Sequence, residues 1–203
     1  SCGLQKQAKG ILVELPSKGP MFALMNAYEF KSKPIPWPIR QKWAKQIARG
    51  LTAYHERGQV VGGLRTYNFC VCIDDCDNAM IMSLSNGSHP IVHGSGGLLP
   101  PEYRTEAFGK GDGLVGPEFD IFQFGGLLWH LYRYQHQQGA KTICSLAGCH
   151  NAGLATCDEH ENPIALPKAA ADAPDYLGRI IALCRQEDPR KKPTARELVR
   201  MFP

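Results

Sequence analysis

The sequence lacks any apolar run near the roughly 18 to 20 residues that a membrane-spanning helix needs, and no signal peptide opens it. It also lacks basic runs. The 23 Lys and Arg and the 19 Asp and Glu residues give a net charge of +4 over 203 residues. Repeats and low-complexity segments are absent, and 43% apolar residues argue against intrinsic disorder. We therefore expect one globular domain over residues 1–203, a cytoplasmic location, and neither nucleic acid nor a membrane as partner.

The clearest predicted element is an amphipathic helix that opens at the proline-rich stretch 34–38. Its apolar stripe recurs at spacings of four and three residues and comprises Ile39, Trp43, Ile47, Leu51 and Tyr54. The polar residues off the stripe, expected to face solvent, are Lys42, Lys45, Gln46 and Arg49. Gly58 stands where a left-handed C-terminal cap is favoured.

The other predicted elements give a mainly α fold with a small β-hairpin. Residues 69–73 and 79–82 are typical of two strands joined by a polar turn, and Ile11–Leu15 of a buried strand. Residues 117–134 are apolar nearly all round, which is typical of a helix in the middle of a core. A further helix is predicted over Tyr176–Cys184, and a capping box over Thr194–Glu197 begins the last one.

Five motifs, in this order, resemble the C-terminal lobe of a protein kinase. They are residues 47–58 (the helix before the catalytic loop), 63–68 (the loop), 99–102 (A-P-E), 120–125 (the start of the central helix) and 188–194 (D-P-x-x-R-P-T). The resemblance covers about residues 11–203 and is nearest to the kinase-like proteins of filamentous fungi. Since nothing matches the glycine-rich loop or the ATP-contacting lysine strand, it implies a C-lobe without the N-terminal lobe.

The resemblance also implies that the catalytic carboxylates are missing. In the family, the H-R-D Asp accepts the substrate proton and the D-F-G Asp binds magnesium. The H-R-D positions here are Val61–Gly63, so Gly63 replaces the base, and Ser83 replaces the D-F-G Asp. A serine hydroxyl does not substitute for a carboxylate on Mg²⁺. Asn68 remains at a metal-binding position and Arg65 stands where lysine is usual, but we expect a pseudokinase that uses no Mg-ATP.

Other family positions have structural roles. The A-P-E glutamate, here Glu102, pairs in the family with the R-P-T arginine, which is Lys192 in this chain. A Glu–Lys pair keeps the opposite charges but lacks the bidentate hydrogen bonds that arginine makes to a carboxylate. The family counterpart of Asp120 hydrogen-bonds the catalytic-loop backbone, so the same structural role is expected here.

A Cys/His-rich insert over residues 136–167 stands apart from the family pattern. Cys144, Cys149, Cys157 and His160 would supply the four thiolate or imidazole ligands of a structural zinc site, with His150 as an alternative ligand. Disulfides and free thiols in an exposed loop remain alternatives. No carboxylate follows the pattern of the zinc hydrolases, which argues against a catalytic metal.

Two functions follow as hypotheses. The first is a catalytically inactive module that contacts a protein partner as a scaffold, decoy or allosteric regulator, with residues 83–117 as its candidate surface. The second is a fragment of a nucleotide-binding, kinase-like transferase. Because a missing lobe exposes the strand edge at Ile11–Leu15, we also expect some self-association through that edge.

Overall fold

A computed structural model describes residues 16–21, 23–25, 35–64, 70–82, 100, 115–133 and 174–203. Within these ranges the protein is mainly helical, with one small antiparallel sheet. The hairpin strands β2 (Val71–Ile73) and β3 (Ala79–Ile81) pair as predicted, with Cys72 opposite Met80. A short strand, β1 (Gly19–Pro20), pairs antiparallel with β2 and makes the order β1-β2-β3.

The predicted hairpin is therefore part of a three-stranded sheet. The sequence does not predict β1, because the strand is only two residues long and contains a proline. Proline has no N–H to donate and is therefore found in sheets mainly at their edges. The backbone N–H of Lys18 bonds the carbonyl of Ile73 at 3.0 Å and holds the strand in place. The predicted strand Ile11–Leu15 lies outside the described residues.

Helix α1 (Trp37–His55) confirms the amphipathic pattern. Trp43, Ile47 and Leu51 are buried on the predicted stripe, and Gly58 adopts the left-handed conformation (φ 68°) just beyond the helix end. One buried residue was not anticipated. Arg40 is fully buried and donates to the carbonyl oxygens of Ile35 at 2.8 Å and Leu131 at 2.7 Å.

Helix α2 (Pro117–Arg133) is the central element that its composition predicts. Its buried apolar side chains include Ile121, Phe124, Leu127, Leu128 and Leu131. Helix α3 (Asp175–Cys184) packs on α2, where a Cβ added to Gly125 would lie 2.8 Å from the Cβ of Cys184. This glycine is required because the two helices approach closely at that point.

A 3₁₀ turn (Pro189–Lys191) leads into the last described helix, α4 (Ala195–Met201), which packs on α1. The capping box predicted from the sequence is present: Glu197 N–H donates to Thr194 Oγ1 at 3.2 Å, and Thr194 N–H donates to Glu197 Oε2 at 2.8 Å. In the part of the chain that the structure describes, no helix is both long and apolar enough to cross a bilayer.

Candidate functional site

The candidate site is the loop of residues 61–64, which follows α1 and is held by the side chains of α2. Asp120 is fully buried near the start of α2, and its two oxygens accept from two successive loop amides. Val61 N–H donates to Oδ2 and Gly62 N–H donates to Oδ1, each at 2.8 Å. The contact between Asp120 and the loop backbone, expected from the family resemblance, is therefore present.

Gln123 binds a third backbone amide of the loop, and the sequence motifs do not predict this contact. It lies one helical turn after Asp120, is 3% exposed, and accepts from Leu64 N–H at 2.8 Å through Oε1. Among the described residues its Nε2 has no acceptor. A polar residue three positions after Asp120 in an otherwise apolar helix was the available signal, since such residues lie on one helix face.

The two glycines of the loop differ in backbone conformation. Gly62 has φ 70°, in the left-handed region that side chains with a Cβ adopt only at a cost. Gly63 is not in that region, and a Cβ built on it would meet no described heavy atom within 4 Å. A Cβ is therefore tolerated at Gly63 without steric crowding from the described residues.

His55, the last residue of α1, contacts the Asp120 carboxylate. Its Nε2 is 2.9 Å from Asp120 Oδ2, in a hydrogen bond in which the carboxylate accepts. Asp120 thus contacts the loop and the end of α1 together, because Oδ2 also accepts from Val61. The sequence predicts only a core or capping role for His55, since the partner is 65 residues away.

A cavity of about 520 Å³ lies beside this site, between the end of α1, the start of α2 and the segment 189–196. His55, Glu118 and Lys192 contribute polar groups to its wall, and prolines and Ile121 contribute apolar ones. Glu56 and Arg196 form an ion pair across its edge. The cavity thus combines an apolar wall with charged groups of both signs.

Lys192 has a buried environment. It is 8% exposed, and its Nζ lies 5.2 Å from the centre of the Phe122 ring. The guanidinium of Arg185, 4% exposed, lies 4.4 Å from the same ring centre. Each cation–π contact contributes about 0.5 to 2 kcal/mol. Glu102, the expected partner of Lys192, lies outside the described residues, so that ion pair stays a prediction.

Several other predicted site residues belong to parts of the chain that the structure does not describe. Arg65, Asn68 and Ser83 lie outside the described residues, as does the whole Cys/His-rich insert 136–167 with Cys144, Cys149, His150, Cys157 and His160. Within the described ranges, no group of three or more His, Cys, Asp or Glu side chains is placed to bind a metal ion. Zinc therefore stays a prediction.

The described cysteines differ in burial. Cys70, Cys72 and Cys184 are buried cysteines, and Cys76 is an exposed one in the hairpin turn. Burial raises the pKa of the Cys72 thiol, and it raises that of Cys184 further despite the nearby charges of Arg185 and Lys192. A thiol with a raised pKa carries less thiolate at neutral pH, and together with the burial of both side chains this favours a packing role for the two cysteines.

Comparison with known proteins gives a weak relationship to kinases. No protein-family model matches the chain. It is 20% identical over 196 residues to one probable serine/threonine-protein kinase of Dictyostelium discoideum, and 25% identical over 199 residues to another. Each match covers 93% of this chain but only 11% and 19% of those relatives' own length. The chain is thus distantly kinase-like and spans a small part of these relatives.

Proposed function

We propose that this chain is a pseudokinase module, similar to a kinase C-terminal lobe, which transfers no phosphate and acts by contacting a protein partner. The observation that carries this proposal is the attachment of the 61–64 loop to α2. Asp120 and Gln123 accept from three of its four backbone amides at 2.8 Å. Yet the loop presents Gly62 and Gly63 where the resembled family has its arginine and its catalytic base.

The energetics support a structural use of the loop. A net contribution of about 0.5 to 1.5 kcal/mol is usual for one hydrogen bond, and bonds to a charged acceptor contribute more. Glycines lose more backbone freedom on folding than other residues, so fixing Gly62 and Gly63 opposes this gain. The fold thus fixes a loop whose side chains have no acid–base group, which favours a role in shape or contact over a role in chemistry.

Phosphate transfer is the direct test of the proposal. Purified protein with ATP and magnesium is expected to transfer no phosphate to itself or to a generic protein substrate above the rate without protein. The matched control is Asn68→Ala, which removes the one family metal-binding position that the sequence retains. Transfer by the wild type that disappears in Asn68→Ala would overturn the proposal, whereas transfer that persists would reveal a contaminating kinase.

A second candidate function is supported by the relatives, both of which are called probable serine/threonine-protein kinases. In that case the chain is a fragment of a nucleotide-binding transferase. Thermal unfolding with and without ATP and divalent ions separates the two candidates. A rise in Tm that needs both ATP and metal supports the transferase, whereas an unchanged Tm supports the non-catalytic module.

The partner surface we propose is the segment 83–117, which stands in the place of the family's activation segment. Deletion of Gly94–Gly97 is expected to reduce recovery of an identified partner in a pull-down, and unchanged recovery would argue against this surface.

Self-association through Ile11–Leu15 is a separate proposal. Sedimentation velocity over about a hundredfold concentration range tests it, and a monomer throughout would contradict it.

A structural zinc ion in the insert 136–167 is also proposed, bound by Cys144, Cys149, Cys157 and His160. Elemental analysis is expected to give close to one zinc per chain, and less than about 0.2 per chain would contradict the proposal. Cys157→Ser should lower the zinc content. Cys76→Ser is the matched control, because Cys76 is an exposed free thiol in the hairpin turn.

A further inference from the structure

The cavity of about 520 Å³ beside the candidate site lies between the last turn of α1, the first turn of α2 and the segment 189–196. Its apolar wall comes from α2 and from that segment, and comprises Pro117, Ile121, Pro189, Pro193 and Ala195. Concave sites of about 300 to 1,000 Å³ with mostly apolar walls are typical of small organic ligands. We call this space the proline-lined cavity.

One wall of the cavity is an extended, proline-containing segment. Lys192 (φ −73°, ψ 139°) and Thr194 (φ −71°, ψ 158°) have dihedral angles near those of a polyproline II helix, and Pro193 lies between them. Aromatic rings are the usual partners of prolines in this conformation. The wall that carries Pro193 therefore favours a ligand with an aromatic ring.

The charged groups of the cavity balance one another. The bases on its wall are Arg190, Lys192 and Arg196, and the acids are Glu56 and Glu118. Arg196 forms an ion pair with Glu56, and Arg190 forms one with Asp188 at 3.0 Å. Lys192 and Glu118 carry opposite charges, so neither sign is in excess. An ion that enters gives up its hydration, and no excess of opposite charge compensates for that cost.

From the volume, the proline wall and the balanced charges, we infer that the proline-lined cavity binds an uncharged aromatic small molecule. Its rings pack against Pro189, Pro193 and Ile121, which all line the same space. Binding of such a ligand is a function beyond the proposed contact with a protein partner.

A ligand in this cavity lies one side chain away from the 61–64 loop. His55 lines the cavity, and its Nε2 is 2.9 Å from Asp120 Oδ2. The same carboxylate oxygen accepts from Val61 N–H at 2.8 Å. Occupancy of the cavity is therefore expected to change the environment of the Val61 amide.

The test is a fluorescence titration with N-phenyl-1-naphthylamine, an uncharged aromatic probe, and with 1-anilinonaphthalene-8-sulfonate, which adds a sulfonate to the same rings. The uncharged probe should bind the wild type about tenfold more tightly than the sulfonate, because only the sulfonate loses the hydration of an ion. This comparison of the two probes needs no variant.

A variant that fills the cavity tests where the probe binds. Thr52→Phe enlarges a half-buried side chain of the cavity wall and should weaken binding of the uncharged probe about tenfold. The matched control is Ala53→Phe, at the next residue of α1, which is exposed and is not part of the cavity wall. Thermal unfolding of both variants checks that they fold like the wild type.

Three outcomes would overturn the inference. They are no saturable binding of the uncharged probe, equal loss of binding in Thr52→Phe and Ala53→Phe, and tighter binding of the sulfonate or of acetyl-Gly-Trp-Gly-amide than of the uncharged probe. Binding should also shift the NMR signal of the Val61 amide, and an unshifted signal at saturation would contradict the link through His55. Phosphate transfer is measured without the probe, so failure here leaves the proposed lack of catalysis standing, and the reverse also holds.

Discussion

Two loops of this protein are each organised by one aspartate, but they differ in where that aspartate comes from. In the hairpin turn, Asp74 Oδ1 accepts from the N–H groups of Cys76 at 2.9 Å and Asn78 at 2.7 Å, both within four residues. In the 61–64 loop, Asp120 accepts from two amides that lie 58 and 59 residues before it. The first turn can form its contacts locally, whereas the second depends on the packed position of α2.

The two aspartates also differ in burial. Asp120 is fully buried, while Asp74 is half-buried at the surface, where water can replace a lost bond. Unsatisfied buried amides cost more than exposed ones. The comparison therefore predicts that the two loops respond unequally to loss of their aspartate.

The largest effect is expected for Asp120→Ala. It removes the acceptor of two loop amides and of His55, and we expect a loss of about 3 to 5 kcal/mol in the free energy of unfolding. Urea denaturation measures it, with Glu187→Ala as an exposed control. Should Asp120→Ala fail to fold, Asp120→Asn retains one acceptor oxygen and is expected to lose less. A loss below about 1 kcal/mol for Asp120→Ala would contradict the account.

Next comes Gly62→Ala, which forces a Cβ into the left-handed conformation (φ 70°) and should cost about 1 to 2 kcal/mol. Its matched control is Gly63→Ala, where no described atom crowds the new Cβ. That change should leave stability unchanged or raise it by up to about 1 kcal/mol, because it restricts the unfolded chain. Equal losses in the two variants, measured by urea denaturation, would mean that the loop conformation is wrong.

Much of the fold could be predicted from local patterns. The stripe on α1, the all-round apolar composition of α2 and the Thr194–Glu197 capping box each depend on residues within a few turns of one another. The contact of Asp120 with the loop could be expected only through the family resemblance. The contact of Gln123 with Leu64 and the packing of α4 on α1 join residues far apart in the chain, so no local pattern predicts them.

A smaller, pH-dependent effect is expected at Asp74. Hydrogen bonds from the backbone and side chain of Asn78 lower the pKa of this carboxyl in the folded state. A lowered pKa means that its stabilising contribution is complete above the unfolded value of about 3.9 and is lost as the pH falls through the folded value. The Tm difference between wild type and Asp74→Ala should therefore shrink below about pH 4. A Tm difference that stays constant as the pH falls would refute the assignment.

Amide hydrogen exchange, followed by NMR, tests the central claim that side chains of α2 hold the 61–64 loop. The amides of Val61, Gly62 and Leu64 donate to Asp120 and Gln123 and are expected to exchange slowly in the wild type. In Asp120→Asn the protection of Val61 and Gly62 should fall more than that of Leu64, which donates to Gln123. Rapid exchange of all three amides in the wild type would contradict the account.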